Sequence, residues 1–112
     1  MTDDVLVMPR RLAIEILHAA QQAQPEAIRG VVAARDGQPV SFHPDGTTLP
    51  AGVQRWARLW SHPQSAAIPG VEELADGGLS LVVSLNTKGV LEMRAWRLDG
   101  DRAAEQVLKV RD

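Results

Sequence analysis

Residues 59–74 read LWSHPQSAAIPGVEEL, and the fold turns on what this stretch is. The residues leading into it alternate. From Gln54 to His62, Trp56, Arg58, Trp60 and His62 fall on one face and Arg55, Ala57, Leu59 and Ser61 on the other, the period of two that marks a strand. Past His62 the pattern breaks at Ser-His-Pro. Gly70 to Ala75 has room for only a short helix, with Glu72 and Glu73 in its first turn, where the helix dipole favours anions. Leu79 to Leu85, LSLVVSL, then reads as a buried strand. The stretch is thus a strand end, a proline-bounded connection and the approach to a second strand.

Working outward, Met8-Pro-Arg opens a segment ending at Pro25 in which Leu12, Ile16, Leu17, Ala20 and Ala23 recur near helical spacing. Pro9 suits a first turn and Pro25 cannot continue a helix, so the helix is expected over about residues 9–24. Ile28–Arg35 and Pro39–His43 flank Asp36-Gly37, a hairpin signal because that turn needs positive φ. Residues 44–52, PDGTTLPAG, are turn chemistry throughout. Asn86–Gly89 forms a turn, Val90–Leu98 alternates, Asp99-Gly100-Asp101 turns again, and Ala103–Val110 completes a last strand. The expectation is an α+β domain over residues 1–112: a mixed or antiparallel sheet of about six strands, one long N-terminal helix packed on it, and a short helix after Ser-His-Pro.

Composition narrows the function classes. The chain has 112 residues, 45% hydrophobic and 23% charged, the make-up of one ordinary globular domain. Its formal net charge is −2 and its twelve Lys and Arg are scattered, which excludes a basic stripe for nucleic acid. With no cysteine there is no disulfide, thiolate site or cysteine nucleophile. The opening MTDDVLVMPRRL is not a secretory signal and no run reaches the ~20 apolar residues of a membrane span, so a cytoplasmic protein is expected.

The residues also carry a resemblance. A Pro-Arg helix entry, an Ile-Leu-x-Ala-Ala helix ending at Gln24-Pro25-Glu26, a strand with Gly30-Val31-Val32, Ser61-His62-Pro63, Pro69 and Glu72-Glu73-Leu74 occur in the order found in the JAB/MPN (Mov34) family, whose fold is cytidine deaminase-like. The chain resembles its small prokaryotic members over nearly its whole length. In active members, the JAMM metalloproteases, a His-x-His-Pro motif and a downstream Asp bind zinc. A Ser on the same stretch stabilises the oxyanion, and a Glu on an earlier strand takes a proton from the zinc-bound water. Three ligands and one open position is the general plan of catalytic zinc.

The resemblance places the first histidine on Trp60, the second on His62, the serine on Gly70, the aspartate on Glu73 and the general base on Ala27. Indole has no lone pair for a metal and glycine has no side chain to donate. Glu26 stands one residue out of register for the base, and a slip of one turns a strand side chain to the other face. His18 offers no helical partner for a metal, and His43 lies in a turn-flanked segment as a candidate replacement ligand.

Substitution of a ligand, the base and the oxyanion donor implies a catalytically inactive domain. By the family resemblance it would serve as a protein-binding or dimerisation module with no cofactor. Its partner would be a second copy or a ubiquitin-like protein whose tail lies along a sheet edge. Trp56, Arg58 and Trp96 are candidates for the binding surface, since Trp and Arg are enriched at hot spots. The alternative is a divergent zinc peptidase trimming ubiquitin-like sulfur-carrier tails with His62, Glu73 and a third ligand such as His43.

Overall fold

The computed structural model describes residues 5–74, 78–87 and 90–111. Seven strands form one sheet: β1 (Val5–Pro9), β2 (Arg29–Arg35), β3 (Gln38–Pro44), β4 (Gln54–His62), β5 (Ser80–Thr87), β6 (Val90–Asp99) and β7 (Arg102–Arg111). Their spatial order is β1-β7-β6-β5-β4-β2-β3, with β1–β7 and β4–β5 parallel and the rest antiparallel. The fold is α+β with a mixed sheet, as the sequence predicts. The strand count is the correction: Val5–Pro9 reads as a short apolar run, and it becomes a strand only because β7, the last strand, offers it a partner in parallel register.

Helix α1 (Arg10–Ala23) buries Leu12, Ala13, Ile16 and Ala20, one stripe at helical spacing. Pro9 stands just outside it as the N-cap, and Gln24 ends it before a cis bond to Pro25. The stripe packs on Met8, Val32, Ala57, Leu59, Leu81, Val83 and Ala95 to form the main core on one face of the sheet. The hairpin at Asp36-Gly37 is as expected, with φ of 52° and 80° at the two turn residues. Gly30 is required by close approach, because a Cβ there would lie 2.4 Å from the His43 carbonyl oxygen and 2.7 Å from the Phe42 ring.

The connection that holds the quoted motif owes its position to strand direction. β4 and β5 are parallel neighbours, and parallel neighbours cannot be joined by a tight turn, so the chain must cross a sheet face. The described start of this connection, residues 63–74, packs on the face opposite α1. There Ala67 and Leu74 pack on Val82, Trp96 and Trp60 as a second, smaller core. The short helix within it is one 3-10 turn, Val71–Leu74; Ala75, expected as its end, lies outside the described residues, as do Lys88 and Gly89 of the expected turn before β6.

One expectation for β4 fails at Trp56. Val32 pairs with Ala57 and Ala33 with Arg55, so a bulge leaves Trp56 unopposed. A bulge inserts one residue and resets the alternation. Trp56 therefore packs against the helix-side core, while Trp60 joins the core on the other face.

Candidate functional site

His62 is the last residue of β4, and Glu73 stands in the 3-10 turn of the crossing connection. The pair meets because the connection is fastened to the sheet from beneath. Ser80 Oγ donates to the Glu73 carbonyl at 2.9 Å, Ser84 Oγ to the Ser65 carbonyl at 2.7 Å and Trp96 Nε1 to the Ala67 carbonyl at 3.0 Å. Ser80 and Ser84 are fully buried. A buried hydroxyl needs a partner, and the crossing backbone supplies one.

His62 Nε2 lies 2.9 and 3.0 Å from the two Glu73 carboxylate oxygens, and its Nδ1 lies 2.9 Å from the Ala66 carbonyl oxygen. A carbonyl and a carboxylate both accept, so this arrangement favours a ring with both nitrogens protonated. The His62 pKa is raised above its ordinary 6.5. Burial, the strongest single influence, opposes the charge, but the Glu73 hydrogen bond, the Ala66 carbonyl and the Glu73 charge together outweigh it. Glu73 also accepts the Gly70 N–H at 2.8 Å. The two side chains are about 15% and 14% exposed, so the pair is partly sheltered from solvent.

Around the pair is an open hollow lined by Pro25, Ala27, Ser61, Gln64 and Ser65 together with His62 and Glu73. Ser61 fixes one wall, its Oγ accepting the Ile28 N–H at 2.7 Å while its own N–H donates to the Ile28 carbonyl. Ala27 thereby faces the same hollow as His62 and Glu73, and Glu26 does not line it. Trp60 packs in the second core with its Nε1 buried and without a hydrogen-bond partner in the described structure.

No protein-family model matches the chain, and no curated protein matches it by sequence. Solved structures do match. A protein of Desulfitobacterium hafniense superposes with a TM-score of 0.76 at 16% identity, covering 97% of this chain and 94% of that one. A JAB1/MPN domain protein of Archaeoglobus fulgidus gives 0.75 at 18%, covering 96% and 99%. The chain has the JAB1/MPN fold. A third structure, described as JAMM, a metalloprotease-like zinc site in the proteasome and signalosome, gives 0.70 at 19% identity, covering 97% and 100%. At these identities the likeness concerns the fold, and any chemistry must come from this chain's own residues.

Among the described residues, His62 and Glu73 stand without a third ligand of the kind a catalytic zinc site uses, and no cluster of three His, Cys, Asp or Glu side chains stands close enough to hold a metal. His43 is not the missing third. It pairs with Val31, which pairs with Arg58, so it lies two strands across and four residues along from His62, roughly 15 Å away. Its Nε2 instead contacts the Ser41 hydroxyl at 2.8 Å. Gly70, at the serine position, contributes a backbone N–H that Glu73 already occupies.

The other three candidates do not all share one face: Arg58 and Trp96 flank Ser80 on the face opposite α1, and Trp56 lies on the other. Trp56 is on the helix side, Trp96 is 8% exposed in the second core, and Arg58 stacks over the Trp60 ring at 5.1 Å on the opposite face. Sequence reasoning missed the Ala66 carbonyl and Gly70 N–H, because backbone groups carry no residue signature. Ser80 and Ser84 were detectable: two hydroxyls on one face of the apolar run LSLVVSL must point at something polar.

Proposed function

We propose that this chain is a catalytically inactive domain of JAB1/MPN fold that acts as a protein-binding or dimerisation module. The observation that carries this reading is the His62–Glu73 ion pair. The two side chains best placed to hold a metal satisfy each other at 2.9 Å, and the third position on that face is Trp60, whose indole offers no lone pair. Ala27 faces the pair, Glu73 is engaged by His62 and the Gly70 N–H, and no other described residue lining that hollow is a carboxylate that could take a proton from an attacking water. What persists is a rigid crossing connection, fastened by three buried side-chain donors, and a rigid surface lowers the ordering cost of binding a partner.

Elemental analysis of protein purified without a metal-binding tag tests this, run on wild type and on His62→Ala after zinc loading. Wild type is expected to hold no more zinc than the variant, and neither to cleave a ubiquitin-like protein extended at its C-terminus. One equivalent of zinc in wild type and none in the variant would instead establish a divergent peptidase site.

A further inference from the structure

On the face opposite α1, beside the crossing connection, lies a groove of about 420 Å³ lined by Pro69, Leu74, Leu98, Asp101 and Ala103 among others. Its floor is apolar and its rim acidic. Asp101 stands in the lining, and the Glu72 carboxylate lies 3.7 Å from where a Cβ on Gly70, another lining residue, would be. No Lys or Arg is among the described lining residues.

A second apolar feature has the opposite charge. Pro9, Arg10, Arg11 and Ile14 surround a hollow of about 510 Å³ where β1 passes into α1. Ile14 is 58% exposed, more than any other large apolar side chain described. Arg111 adds charge there, since it is the β7 partner of Pro9, against Glu15 one turn along the helix from Arg11. β7 runs from the groove end, at Arg102, to the Pro9 end, at Arg111. Ten residues of strand span ~30 Å, and the longest dimension of the molecule is 34 Å. One copy therefore cannot fill its own groove.

We propose that the chain associates head to tail: Ile14 of one copy seats in the Leu98 groove of the next, with Arg11 opposite Asp101. The proposal deepens the binding-module reading, on which it rests, by naming a second copy as the partner. Apolar contact supplies the attraction while the opposed charges set which ends meet. The contact joins two different surfaces, so it is heterologous and builds a ring where the rotation closes and an open filament where it does not.

Sedimentation velocity over a concentration series tests this on the full chain, with circular dichroism to verify that each variant is folded. Wild type is expected to sediment increasingly fast with concentration, and several-fold less so when salt is raised to about 1 M, where charges are screened within ~3 Å. Arg11→Glu and Asp101→Lys alone are each expected to remain single chains. Mixed, they are expected to associate again as wild type does, because the intact patch of one meets the intact groove of the other and the two substituted sites are themselves opposite in charge. Wild type that remains a single chain throughout overturns the proposal, including a case in which it binds a lysine-rich apolar peptide at the groove. Variants that alone associate as wild type does, or a mixture that does not associate, overturn it too. None of these outcomes bears on zinc, so the proposed function stands or falls separately by the metal analysis.

Discussion

His62 Nε2 and Glu73 Oε2 stand 2.9 Å apart across the junction of β4 and its crossing connection. They join two segments eleven residues apart in sequence through a direct side-chain hydrogen bond.

The Glu73 and Ala66 acceptors favour the cationic form of the His62 ring and, against the opposing effect of burial, hold its pKa above the ordinary 6.5. A raised pKa contributes stability that is complete below the unfolded value and is lost as pH rises through the folded one. The urea midpoint of wild type is expected to fall as pH rises above the ordinary 6.5, and the part of the fall due to this pair to be missing in His62→Gln. Parallel curves for the two proteins would show that the pair is not charged.

Trp60 and His62 are two residues apart on one strand face, so Trp60→His would place a third donor beside the His62–Glu73 pair. The variant is expected to lose ~3 kcal/mol or more from the second core when metal-free. Zinc at 100 times its dissociation constant should then return ~2.7 kcal/mol. Cobalt added to the variant should give the visible absorption of a tetrahedral site and add none to wild type. A melting temperature indifferent to zinc would show that the two existing side chains are not held as described.

The three donors beneath the connection predict local weakening. Trp96→Phe removes the N–H that satisfies the carbonyl of the fully buried Ala67 and is expected to cost ~1–3 kcal/mol. Ser84→Ala should cost about 1 kcal/mol. In both, amide exchange over residues 64–74 should quicken more than over α1. Uniform quickening would mean that the contacts support the whole fold and not this connection.

Two glycines separate contact from conformation. Gly30→Ala sets a methyl group 2.4 Å from the His43 carbonyl oxygen, a backbone atom that cannot swing aside, and should cost ~3 kcal/mol or more. Gly46→Ala meets nothing within 4 Å but sits at φ 88°, so only ~1 kcal/mol of backbone strain is expected. Chemical denaturation of both variants distinguishes the two; equal losses would remove the steric argument.

The sequence by itself determined the elements whose signals are local. The stripe Leu12, Ile16 and Ala20 specified α1, Asp36-Gly37 specified the hairpin through positive φ, and the alternation up to His62 specified β4. It also determined that Trp60, Gly70 and Ala27 cannot supply zinc chemistry, since that follows from which atoms those residues possess. The tertiary structure alone decided that Val5–Pro9 is a strand, because its partner β7 lies at the far end of the chain. It decided that a bulge turns Trp56 away from Trp60, because bulges arise from the register of two strands together. It brought Glu73 onto His62, because the parallel pairing of β4 and β5 sends the connection across the sheet and buried hydroxyls fasten it there. Residue types fix what an atom can donate or accept, but only the long-range pairing of strands fixes which atoms meet.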